Sequence, residues 1–174
     1  MTLPKLTLVL GGAASGKSDY AEGLVKKAGN CPTYIATAQV YDDEMAQKVA
    51  RHRQTRGTSW HTIEEPLAIA AAVHGAPQNQ PILIDCATLW ITNIMLGEHD
   101  FDAQREALFD AIAASSNPVV IVANEVGQGI VPDNALSRRF RNAQGALNQQ
   151  IAQRADLVVA VMAGLPLPLK GRLP

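Results

Sequence analysis

The chain has 174 residues, with 15 Lys and Arg against 16 Asp and Glu for a net charge of −1, 47% apolar residues and a mean hydropathy of +0.01. That length buries one core of α/β size but not two, so a single domain over residues 1–174 is expected. The balanced charge excludes a protein built chiefly to bind nucleic acid or an anionic membrane surface, and no apolar run approaches the roughly 18 residues of a membrane span.

The first apolar run, residues 6–10, is too short for a secretory leader and has no basic residue before it other than Lys5. It runs into Gly11, Gly12, Ala13, Ala14, Ser15, Gly16, Lys17 and Ser18, which fit GxxxxGK[ST], and then into a helical pattern over 17–28. The glycines allow backbone N–H groups to curl around a phosphate, and the helix N-terminus adds positive potential. Lys17 can reach the β- and γ-oxygens, and the Ser18 hydroxyl can ligate Mg²⁺. The plain alternative, a glycine-rich turn with a solvated lysine, explains less of this context. Binding of a nucleoside triphosphate is the expected chemistry.

A second apolar run at 33–38 reads as a strand. The segment 42–56 reads as a helix, because Asp42, Asp43 and Glu44 suit its positive end and Arg51, Arg53 and Arg56 its negative one. Met45, Val49 and His52 share a stripe there, so two readings of His52 stand open. It is either a helix-end imidazole among solvated arginines or a nucleophile toward a phosphorus atom, with the arginines holding phosphate oxygens. His61, after Trp60 in a strand-like stretch, His74 and His99 read as structural. Cys31 and Cys86 have neither CxxC nor Cys/His spacing, so reduced cytoplasmic thiols and no structural zinc are expected.

A helical pattern at 66–74 precedes the apolar run 81–85, which ends in Asp85. That ending suits a carboxylate for Mg²⁺ or nucleotide, and equally an ordinary strand-end residue. Helical patterns follow at 88–96 and 102–114, then an apolar run at 119–123 that opens into Asn124, Glu125 and two glycines before Pro132. Such a loop lies at the carboxyl edge of a parallel sheet, where ligands collect. Asn124 and Glu125 read either as ligands for a hydroxyl-bearing substrate or a metal-bound water, or as turn residues satisfying the backbone. The helix at 133–155 carries Arg138, Arg139 and Arg141 as a solvated face, residues 157–162 form a last strand, and Pro166, Pro168 and Pro174 read as a strand exit and tail. Strands alternating with helices predict an α/β fold: a P-loop NTPase-like, RecA-like, mostly parallel sheet with helices on both faces.

Taken in order, the phosphate loop, Tyr34-Ile-Ala-Thr-Ala-Gln39, Asp42-Asp-Glu-Met45, Arg51-His-Arg53, Trp60 with Thr62, Glu64-Glu65-Pro66 and Asn124-Glu-Val-Gly-Gln-Gly-Ile-Val-Pro132 make the chain similar to one family. It resembles the adenosylcobinamide kinase / adenosylcobinamide-phosphate guanylyltransferases of cobalamin biosynthesis over nearly its whole length. The resemblance implies phosphorylation of adenosylcobinamide with ATP or GTP, then transfer of GMP from GTP through a GMP-histidine at His52. It also implies nucleotide contacts at residues 11–18 and at Thr37, Ala38, Gln39, Arg53, Gln54, Thr55, Arg56, Glu64 and Asp85, with Mg²⁺ on Ser18 and Asp85. The implied partners are a corrinoid substrate and further copies of the chain in a homo-oligomer, a trimer, in the cytoplasm. Ala14 stands where some relatives carry a basic residue, and Asp85 where some carry glutamate. Two rival readings are a plain small-molecule P-loop kinase and a nucleotide-binding regulatory module.

Overall fold

A computed structural model describes residues 2–39 and 59–174. The expected helix at 42–56, and with it His52, Arg53, Gln54, Thr55 and Arg56, lies outside the described residues. The strands among the described residues are β1 (Leu6–Gly11), β2 (Thr33–Ala36), β3 (His61–Glu64), β4 (Ile82–Asp85), β5 (Val119–Asn124), β6 (Leu157–Met162) and β7 (Leu165–Lys170). The described helices are α1 (Lys17–Ala28), α2 (Ile69–Gly75), α3 (Ala87–Leu96), α4 (Phe101–Ala114) and α5 (Ala135–Arg154).

The strands form one sheet in the order β3-β2-β4-β5-β1-β6-β7, parallel throughout except for the β6–β7 hairpin. The apolar runs are continuous because both faces are covered. In β5, Val119, Ile121 and Ala123 join a core with Trp90, Leu108 and Leu147, while Val120 and Val122 face the other way, onto Val25 and Leu24 of α1. Two of the described helices begin at side-chain caps: Asp100 accepts from Ala103 N at 3.0 Å to open α4, and Asn134 from Ser137 N at 2.8 Å to open α5.

Two strands go beyond the five expected. The strand-like stretch after Trp60 is the edge strand β3, level with β2 at Ala36↔Glu64. The tail reading of the proline-rich end is corrected: Leu165–Lys170 is an antiparallel edge strand paired with β6. Proline argues against a central strand, but Pro166 and Pro168 have the same parity, so their missing N–H groups turn away from β6 and cost no ladder bond. The turn that allows this places Ala163 at φ 51° and Gly164 at φ 77°, the two left-handed residues that a tight hairpin needs.

Candidate functional site

Six parallel strands end on one edge of the sheet, presenting Gly11, Ala36, Glu64, Asp85, Asn124 and Met162 there. The phosphate loop occupies the middle of that edge. Gly16 sits left-handed at φ 88° as the N-cap of α1, with no side-chain cap on the helix. The first N–H groups of α1 are therefore available to an anion, helped by the helix dipole. A Cβ on Gly16 would stand 3.0 Å from Gly164 Cα, and Gly164 N donates to Ser15 O at 2.8 Å. The β6–β7 turn thus braces the phosphate loop from below. Gly11 is equally confined, since a Cβ there would meet Val161 O at 2.7 Å and also Ser15 Oγ.

Lys17 Nζ donates to Gly12 O at 3.0 Å, so its ammonium is held over the mouth of the loop. Ser15 Oγ is buried and has no hydrogen-bond partner among the described residues. A buried hydroxyl of that kind inside a loop of N–H donors suits a phosphate oxygen.

Two strands away, Asp85 ends β4 level with Ala36 on one side and Val122 on the other. The period of two turns it to the face of Leu83, which is the face α1 covers. Tyr34, buried in β2, donates its phenolic hydrogen to Asp85 Oδ2 at 2.9 Å and packs edge-on against Trp60 at 5.7 Å. One carboxylate oxygen is thereby oriented. Thr37 is buried and ties β2 to β4. Its hydroxyl donates to Cys86 O and accepts from Cys86 N, each at 2.8 Å, and its N–H donates to Asp85 O at 3.2 Å. Asn93 Nδ2 closes the network onto Thr37 O at 2.8 Å. With its polar atoms so engaged, Thr37 fixes the path of Ala38 and Gln39, which are half-buried at the edge.

The structure thus brings together Gly11 to Ser18, and separately Thr37, Ala38, Gln39 and Asp85. Glu64 is exposed on the edge strand β3, four strand spacings from β1, about 19 Å at 4.8 Å each. Asn124 lies abreast of Gly11 in the β1–β5 register, and Glu125 N donates to Gly11 O at 3.1 Å. The backbone of Asn124 is held by Thr88 Oγ1 at 2.8 Å and Asn148 Nδ2 at 3.1 Å, while its own Oδ1 is buried without a partner among the described residues. Of its two readings, the turn residue is thereby incomplete: the backbone is satisfied by others and the side-chain oxygen remains over. Glu125 Oε1 accepts from Gly127 N at 2.5 Å, which is the turn role. Arg141 and Arg138 also hold the loop, on the carbonyls of Gly127, Pro132 and Asp133. Tyr34, Thr88 and Gly164 carry no local signal in the sequence, because each partner lies far along the chain.

Among the described residues no three His, Cys, Asp or Glu cluster as a metal cage. Mg²⁺ needs no cage, since it takes one or two protein oxygens and completes its shell with phosphate and water. The Ser18 hydroxyl in the first turn of α1 and the oriented Asp85 carboxylate are the hard oxygen donors that fit it.

Burial, and secondarily the charge of Asp85, pushes the Cys86 thiol up to about 11 from an ordinary 9.0. Cys86 is accordingly neutral and unreactive, whereas Cys31 is exposed. Since the unfolded thiol ionises first, this contribution to stability is whole below pH 9 and is lost as pH rises toward 11, by about 2–3 kcal/mol in all. Thermal melts of wild type and Cys86→Ala between pH 8 and pH 11 are expected to converge on the alkaline side; parallel curves would remove the thiol from this account.

The model of a family described as cobinamide kinase / cobinamide phosphate guanyltransferase matches residues 7–169. The chain is 46% identical over 167 residues to a bifunctional adenosylcobalamin biosynthesis protein, CobP, of Pseudomonas aeruginosa, covering 94% of this chain and 96% of that one. To the CobU proteins of the same description from Escherichia coli and Salmonella typhimurium it is 37% and 40% identical, in each case over 95% of this chain and 99% of the other. Among solved structures it is similar to the RadB recombinase, with a TM-score of 0.47 and 15% identity over 91% of this chain and 75% of that one.

Proposed function

Because the chain belongs to the cobinamide kinase / cobinamide phosphate guanyltransferase family, and so is a transferase of cobalamin biosynthesis, we propose that it carries out both reactions in sequence on adenosylcobinamide. The observation that carries this reading is the phosphate loop held between β1 and α1 by Gly16 and Gly164, inside a chain that matches the family over residues 7–169.

In the kinase step the substrate hydroxyl attacks the γ-phosphorus of ATP or GTP in line, and the nucleoside diphosphate leaves. This step asks the protein for positioning and charge stabilisation and for no covalent chemistry. The N–H groups of residues 11–18 hold the phosphates, and Lys17 leaves Gly12 O to meet the charge on the β- and γ-oxygens. Mg²⁺, held by Ser18 and Asp85, would neutralise phosphate charge. In the second step an imidazole nitrogen of His52 attacks the α-phosphorus of GTP, the P–O bond to the β-phosphate breaks, and pyrophosphate leaves. The phosphate oxygen of the corrinoid then displaces the imidazole, giving adenosylcobinamide-GDP. Arg53, Gln54, Thr55, Arg56, Ala38, Gln39 and Glu64 contact nucleotide in this scheme.

The test uses GTP labelled in the α- or the γ-phosphate. Retention of α-label but not γ-label on the denatured protein, in an acid-labile and base-stable bond, with discharge by adenosylcobinamide phosphate, is the expected result. Retention of neither label, although GTP binds, would leave the plain kinase. Tyr34→Phe is expected to weaken the Mg²⁺-dependent part of nucleotide affinity about tenfold, the usual scale for a residue that orients a metal-binding carboxylate. Titration of a fluorescent nucleotide at graded Mg²⁺ checks it.

No helix among the described residues is long and apolar enough to cross a membrane. We assign the reaction to the cytoplasm, in keeping with free cysteines at Cys31 and Cys86. Self-association is supported by Leu165 and Leu167, which share one side of β7 and are 72% and 57% exposed. Leu167→Glu is expected to shift the molar mass measured by light scattering toward the monomer.

A further inference from the structure

Where the last turn of α3 meets the starts of α4 and α5, the surface opens into a groove of about 570 Å³. Its floor is Phe101 with Ile94 behind, its walls are Leu96 and Leu136, and Glu98, His99 and Arg139 stand around it. Leu96 is 57% exposed, Leu136 52% and, on the neighbouring loop, Ile130 97% and Val131 63%. Two exposed leucines lining one groove, with two more exposed apolar side chains on the loop that leads to it, are not the scatter of an ordinary surface. The turn that shapes the groove is firmly built: Glu98 is left-handed at φ 53°, and a Cβ on Gly97 would stand 2.7 Å from the His99 ring, so the imidazole lies against bare backbone.

The groove also shares the edge on which the phosphate loop lies. The loop from Asn124 to the cap Asn134 starts abreast of Gly11, is stapled to it through Glu125 N, and delivers Leu136 into the groove wall. Its other wall, α3, is anchored at the same edge by Asn93, which donates to Thr37 O and Pro66 O. Ile130 and Val131 belong to the segment of chain that joins the two.

We propose that this groove is the acceptor site, taking one edge of the corrin macrocycle and extending the hydroxyl-bearing arm along the 125–134 loop toward Lys17. The inference rests on the cobinamide reading above. A corrinoid offers a broad apolar ring fringed by primary amides, and the groove offers an apolar floor fringed by one guanidinium donor, one carboxylate acceptor and an imidazole. Arg139 and Glu98 match amide oxygens and amide N–H groups respectively. A nucleoside phosphate, by contrast, finds no anion cradle there.

The test is equilibrium dialysis of cobinamide, read by its own absorbance, against wild type, Leu96→Asp, Leu136→Asp and Arg139→Ala, with circular dichroism and melting temperature as checks of folding. Both leucines are more than half exposed, so the folded state tolerates a carboxylate there. The Kd for cobinamide and the acceptor KM of the kinase step are expected to rise at least about tenfold in each Asp variant and severalfold in Arg139→Ala, with kcat changing far less. Cobinamide Kd within twofold of wild type in both Asp variants overturns the groove as the site. Wild type that neither binds nor phosphorylates cobinamide overturns the functional reading itself, and the groove with it.

Discussion

Replacing His52 by alanine is expected to abolish the α-phosphate label that GTP leaves on the protein and to lower guanylyl transfer at least about ten-thousandfold, the usual consequence of deleting a nucleophile. The kinase step should fall far less, because a hydroxyl attacking a γ-phosphorus needs no group of the enzyme to become covalent. The measurement is the ratio of the two products, adenosylcobinamide phosphate and adenosylcobinamide-GDP, formed by each protein from the same GTP. Accumulation of the phosphate alone is the expected pattern. A loss of both in equal measure would make His52 a phosphate-holding residue of the shared triphosphate site. Persistence of the α-label would move the nucleophile elsewhere, and Cys86 is a poor candidate because burial keeps its thiol protonated to a pH of about 11.

The features that sequence reveals here are those whose causes are local. Eight contiguous residues make the phosphate loop, and continuous apolar runs such as 119–123 announce strands buried on both faces, as the paired cores above and below β5 bear out. What stays hidden depends on distant partners. Tyr34 reads as one more core aromatic until β2 lies beside β4 and its hydroxyl falls 2.9 Å from Asp85 Oδ2, a residue 51 positions along the chain. Gly164 falls just beyond the last expected strand and carries no signal until its N–H meets Ser15 O. The edge strand β7 was obscured for a different reason. Proline is scored as a breaker wherever it stands, yet on an edge its missing donor faces away from the ladder and protects that edge from pairing with other chains. The exposed Leu165 and Leu167 beside those prolines are therefore available for packing face to face rather than for extending the sheet.

Lys17→Ala should lower phosphoryl transfer by about a hundredfold to a thousandfold, the scale set by removing one preorganised positive donor from a site of developing charge. The reason lies in where the ammonium starts. Bonded at 3.0 Å to Gly12 O, it already stands over the ring of N–H donors and has only to exchange a carbonyl for a phosphate oxygen. Lys17→Arg is expected to rescue little, because a planar guanidinium does not fit a pocket shaped around a compact point charge. Guanylyl transfer should fall in parallel, since the His52 chemistry proposed above leaves the β- and γ-phosphates in the same loop while the α-phosphorus reacts. The alternative has a clear signature. Thr37, Ala38 and Gln39 follow the end of β2 and Glu64 ends β3, displaced across the sheet from β1, and Glu64 is about 19 Å from it. If those residues alone held the GTP that labels His52, Lys17→Ala would stop phosphorylation and leave the α-label intact. Labelling and kinase assays on this one variant thus decide whether the carboxyl edge of the sheet holds one triphosphate or two.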